Sequence, residues 1–99
     1  MYKFTSTIWL YTAETAAWHF ATVPKKESDL IKSLFGKKSK GWGSLPVEVT
    51  IGKTRWQTSI FRDSKIRAYI LPIKALVRKQ EKIREGDRVQ IIFKIRTDK

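Results

Sequence analysis

His19 is the only histidine in the chain, and so the one side chain whose ordinary pKa lies close to neutral pH. A general base needs an orienting partner, and a metal site needs further ligands. With no cysteine present, carboxylates alone would have to complete a zinc set. The nine Asp and Glu residues are scattered over turns, helix starts and isolated strand positions. Glu27 and Asp29 come closest to a helical pair, but residues two apart do not share a helix face. Gly52-Lys53-Thr54 imitates the end of a phosphate-binding loop. That motif also requires a glycine where Val47 stands, and a helix where a strand pattern follows. The segment reads as a hairpin turn and His19 as a structural strand residue. No enzyme, cofactor or metal is expected.

What remains is basic and aromatic. Twenty-one Lys and Arg stand against nine acids, for a formal charge of +12, so the protein attracts polyanions at low salt. Lys37, Lys38 and Lys40 flank Trp42, Arg55 precedes Trp56, and Arg67 lies two residues before Tyr69. Such a set can neutralise phosphates and stack bases, and it forms the candidate polyanion site: Lys37, Lys38, Lys40, Trp42, Arg55 and Arg67. Against it, neighbours on a strand point to opposite faces, so Arg55 facing out places Trp56 in the core. A lysine-rich loop is also ordinary solvated surface. A second set, Trp9, Tyr11, Trp18 and His19, is either a ligand or partner surface or covered core. In a domain this small, large aromatics supply much of the buried area, and core is favoured.

Lys3 and Glu14 are the only charges in the first 24 residues, so the basic surplus belongs to the rest of the chain. The absence of cysteine removes disulfide, thiol and iron–sulfur chemistry. No apolar window reaches the length of a leader or a membrane span. A chain of 99 residues with 41% hydrophobic content supports one modest core. The expectation is a single domain over residues 1–99 in the cytoplasm, with no membrane partner.

Alternating apolar residues predict strands over residues 2–11, 17–23, 45–51, 54–61, 66–71 and 88–96. Helices are expected over 25–35, with Leu30, Ile31, Leu34 and Phe35 inward, and over 73–79, with Ile73, Leu76 and Val77 inward. Gly36 is a natural helix stop. Residues 37–44 read as a basic loop. The Gly52-Lys53 turn, glycine first, has the form of a tight hairpin, and residues 62–65 and 83–87 make further turns. Strand, proline, helix and glycine loop occur twice, about Pro24 and Pro72, which suggests pseudo-two-fold capping of a small barrel. Closing the sheet removes open edges, so a monomer is favoured over a homodimer.

Trp9, then Trp18-His19-Phe20-Ala21-Thr22-Val23-Pro24, a helix near Ser28 and a hairpin about Gly52 follow one another in order. Ile70-Leu71-Pro72-Ile73, Val77-Arg78-Lys79 and Gly86-Asp87-Arg88-Val89 close the chain. Along nearly its whole length this resembles the prokaryotic family called domain of unknown function 1905. The resemblance implies a mainly β fold: a small double-split, AbrB-like β-barrel of five to six or more strands, capped by two short helices. AbrB-type regulators bind DNA as dimers of swapped hairpins, whereas the resemblance implies that a single chain is expected to supply both halves here. The family has no assigned biochemistry, and fold likeness transfers no function. The functional expectation is a small non-enzymatic binding or scaffolding module of unknown ligand. The alternative is a nucleic-acid-binding protein using its basic and aromatic surface.

Overall fold

A computed structural model describes residues 1–38 and 43–96. Among the described residues there are seven strands: β1 (Tyr2–Thr7), β2 (Trp9–Thr12), β3 (Ala17–Thr22), β4 (Leu45–Ile51), β5 (Thr54–Asp63), β6 (Ala68–Pro72) and β7 (Arg88–Ile95). Helix α1 (Lys25–Phe35) follows β3, and α2 (Ala75–Glu81) follows β6. All strand pairs are antiparallel, in the order β1-β7-β4-β5-β6-β3-β2. The two strands at the ends of this order are consecutive in the chain and separated only by Ile8. The sheet therefore closes on itself as a double-split β-barrel with the helices as caps.

Ile8 corrects the expectation of one strand over 2–11. Its N–H donates to the Asp87 carbonyl at 2.9 Å, and its own carbonyl accepts from the Gly86 N–H at 2.7 Å. Before Ile8 the chain pairs with β7, and after it with β3. A strand that changes partner must break its ladder, and a fully buried isoleucine anchors the break.

The alternation over 45–51 is realised residue by residue, with Leu45, Val47, Val49 and Ile51 buried. They pack with Ile60, Leu71, Ile91 and Phe93 in one core. Strand β5 runs two residues past its expected end. Asp63 closes the following turn by accepting the Lys65 N–H at 2.9 Å, and Arg67 completes it at φ 53°. Helix α2 begins at 75 and not 73, because the Ile73 N–H extends the β3–β6 ladder to the His19 carbonyl at 2.9 Å. Gly36 does not take a left-handed stop. It is right-handed at φ −55° and leads into a 3-10 turn, Gly36–Lys38.

Both expected helix faces need correction. On α1 the buried residues are Ser28 and Ile31, with Phe35 packed against the core, while Leu30 and Leu34 are exposed. At 3.6 residues per turn, 28, 31 and 35 form one stripe and the two leucines lie roughly 60–100° away from Ile31. On α2 Val77 is buried and Leu76 is exposed.

The repeated strand–helix unit is a real symmetry of the backbone. The Val23 N–H donates to Tyr69 O at 2.8 Å and the Ile73 N–H to His19 O at 2.9 Å, two bonds related by a shift of fifty positions. The same shift carries the first residue of α1, Lys25, onto that of α2, Ala75.

Candidate functional site

The β2–β3 register pairs Trp9 with Phe20 and Tyr11 with Trp18. Partners directly opposite one another share a face, so four aromatic side chains stand together on the outside of the barrel. Phe20 is paired onward with Pro72, and Phe61 with Ile70, which extends this apolar surface across β6 to β5. Pro46, Gln57, Thr58, Ser59, Asp63 and Arg96 complete a groove of about 780 Å³.

Trp9 is the fixed wall. Its indole N–H donates to Thr22 Oγ1 at 2.9 Å, and its ring lies 5.0 Å from that of Phe20. Trp18 is nearly parallel to Phe20, 12° between planes with centroids 6.4 Å apart, yet it remains 52% exposed, and Tyr11 53%. The favoured reading as core is thereby overturned for Tyr11 and Trp18, while Trp9 is half-buried. The core is filled by aliphatic residues with Phe4, Trp56, Tyr69 and Phe93, and the β2–β3 aromatics face outward from it. Phe20, Phe61, Ile70 and Pro72 were not singled out from sequence. The available signal was strand alternation, since Phe20 lies two residues from Trp18.

His19 stands apart from the aromatic set. It is paired with Leu10, one residue out of phase with Trp18 and Phe20, and lines a second depression of about 230 Å³ with Ile73, Lys74 and Arg78, whose walls Trp18 and Pro72 share with the groove. Its Nδ1 is buried without a hydrogen-bond partner among the described residues. Burial first, and then the Arg78 guanidinium, lower its pKa from 6.5, while Glu85 opposes them. Among the described residues no three His, Cys, Asp or Glu side chains gather into a metal-ligand set.

The basic candidates are dispersed. Lys37 is exposed beyond α1; the side chain of Lys38, and all of Lys40 and Trp42, lie outside the described residues. Arg55 and Arg67 are exposed at opposite ends of β5. From Arg55 to Asp63 alone the strand spans roughly 26 Å, so the two arginines do not form one cluster. Arg67 shares no open strand face with Tyr69, which is buried. Arg62 takes that place, its guanidinium 5.6 Å from the Tyr69 ring centre. Burial raises the Tyr69 phenol above 10.0, an effect that Arg62 opposes. Trp56 points into the core and Arg55 out of it, as strand alternation requires.

A family model described as domain of unknown function (DUF1905) matches residues 4–92. The chain belongs to that family. The match runs from β1 into β7 and includes the groove strands and both helix caps. In this DUF1905 domain the aromatic residues of the groove all lie within the matched span. No curated protein matches the chain.

Proposed function

We propose that this DUF1905 domain is a binding module without catalysis of its own, and that the groove between Trp9, Trp18 and Phe61 seats a ligand with a flat apolar face. The observation that carries this reading is the half exposure of Tyr11 and Trp18 inside an apolar cleft. Large aromatics bury 150–250 Å² when covered. A ligand covering the open halves of these two would remove roughly 200 Å² from water, worth about 5 kcal/mol before association costs. The volume lies within the usual range for small-ligand sites, and a few polar groups beside apolar walls fit the same pattern. His19, the group closest to neutral pH, lines a different depression. A monomer is part of the proposal, supported by a sheet whose end strands are joined through Ile8, and a cytoplasmic setting is proposed with it.

The test is an amide NMR titration with neutral planar probes, indole and 2-naphthol, beside cyclohexanol as an aliphatic control. Saturable shifts confined to residues 9–12, 17–22, 57–63 and 70–72, absent in Trp18→Ala, support the reading. Equal, unsaturable shifts for planar and aliphatic probes overturn it.

A further inference from the structure

Resting on the groove reading, we propose that the ligand is single-stranded nucleic acid, with bases in the aromatic groove and phosphates on the outer face of β1, β7, β4 and β5. The link between the two surfaces is β5. Trp56 and Ile60 face the core, so Arg55, Gln57, Ser59 and Phe61 share the outward face. The last three line the groove. One strand therefore carries a path of roughly 20 Å from a cation to the aromatic wall.

Register builds the cationic end. Lys3 is opposite Ile92, Ile92 opposite Thr50, and Thr50 opposite Arg55. Lys3 and Arg55 thus lie in one row, three strand spacings or about 14 Å apart. Lys94 and Arg88 occupy the same face of β7 as Ile92, two and four residues away. All four cations are exposed. The acid on this face is Glu48, 3.6 Å from Lys94. At the far end of the groove the Asp63 carboxylate accepts the Lys65 N–H, so the path is cationic at the Arg55 end and aromatic, with one acid, at the other.

This pairing selects among polyanions. Bases in a duplex are stacked inside and cannot reach a groove wall, whereas single strands offer flat faces beside every phosphate. The cations are interleaved with Thr5, Thr50 and Gln90, side-chain types able to hydrogen-bond to phosphate and sugar oxygens, and with the apolar Ile92. About three phosphates neutralised predicts a log–log salt slope near −2 for a single strand.

The experiment measures binding of a labelled mixed-sequence eight-nucleotide single strand between about 0.05 M and 0.3 M salt. It is run beside the same sequence as duplex, phosphatidylserine vesicles and the neutral planar probes. The proteins are wild type, Trp18→Ala, Lys3→Glu/Arg55→Glu, and Lys79→Glu/Lys82→Glu as an equal charge change near α2. Urea midpoints check that each variant folds. The proposal expects single-strand affinity to fall roughly 5- to 100-fold in Trp18→Ala, the worth of one stacked base. It expects a loss in Lys3→Glu/Arg55→Glu several times that in the α2 pair, with planar-probe binding unchanged. If planar probes shift the groove but the single strand does not, or if the two charge variants lose equally, this inference is wrong and the groove reading stands. If duplex or vesicles bind as tightly as the single strand, the inference fails as well. If neither probe nor strand shifts the groove, both readings fall together.

Discussion

Ser28 and Arg78 make the same bond fifty positions apart. Ser28 Oγ donates to the Val23 carbonyl at 3.0 Å and Arg78 Nε donates to the Ile73 carbonyl at 3.1 Å. Each tethers the first turn of a capping helix to the strand end before it. Their surroundings differ. Ser28 is fully buried and its oxygen also accepts the Tyr69 N–H at 2.9 Å, whereas Arg78 is only part-buried.

Removing a buried hydroxyl that serves two backbone groups leaves both unsatisfied, at a cost of about 1–3 kcal/mol. Ser28→Ala is therefore expected to lower stability by that amount. Arg78→Ala removes a part-buried donor that serves one backbone group, and should cost about 1 kcal/mol or less. Urea unfolding curves with unchanged slopes check the order. An Arg78→Ala loss equal to that of Ser28→Ala would show that burial is not what separates them.

The tight turn at Gly52 gives a second prediction. Gly52 holds φ 57°, and a Cβ there would collide with the Glu81 carboxylate, which already accepts the Thr54 hydroxyl at 2.6 Å. The turn is thus docked against the end of α2. Gly52→Ala should lose about 1–3 kcal/mol from backbone strain together with displacement of Glu81. In a Glu81→Ala background the collision is gone and only the strain remains, so the same substitution should cost less. Equal losses in the two backgrounds, measured as urea midpoints, would exclude the docking contribution.

The strands were legible in the sequence because their chemistry is period-two alternation; Leu45 to Ile51 needed nothing more. Ser28 was not legible. A buried serine on a helix has no hydrophobic signature, and its role depends on Tyr69, which is remote in the chain. Leu30 and Leu34 misled for the converse reason, because an apolar residue beside the core stripe looks like part of it. The aromatic site was half legible. Trp9, Tyr11 and Trp18 could be named, but whether they faced core or solvent depended on how the strand closes at Ile8. The grouping with His19 overlooked that its side chain is one residue out of phase with theirs.

His19 supplies a pH prediction. Burial and Arg78 disfavour the imidazolium in the folded protein, so its folded pKa lies below the unfolded value of 6.5. A depressed pKa means that the unfolded state binds protons more readily. The stability associated with a neutral His19 is thus complete above about pH 6.5. It is lost as pH falls through the lower folded pKa. Imidazole NMR should give a midpoint below 6.5, and Arg78→Ala should move it upward. His19→Gln should flatten stability across that window. A midpoint at or above 6.5 would contradict the direction.

Ile8 carries the closure of the barrel. It is fully buried, its two backbone groups bond the Gly86-Asp87 turn, and it hands the chain from β7 to β3. Truncating it leaves a cavity at the junction of both half-sheets, and Ile8→Ala should cost about 2–5 kcal/mol. The site of the damage matters as much as its size. Loosening this residue weakens the seat of the junction against the Gly86-Asp87 turn and exposes the edges of the two end strands, which favours strand exchange between copies. Light scattering after gel filtration should give a monomer near 11.6 kDa for the wild type. For Ile8→Ala, a dimer fraction should grow with concentration. A conservative Ile8→Val should cost about 0.5–1.5 kcal/mol and stay monomeric. A wild-type dimer, or an Ile8→Ala protein as stable as the parent, would show that the join at Ile8 is not what seals the sheet.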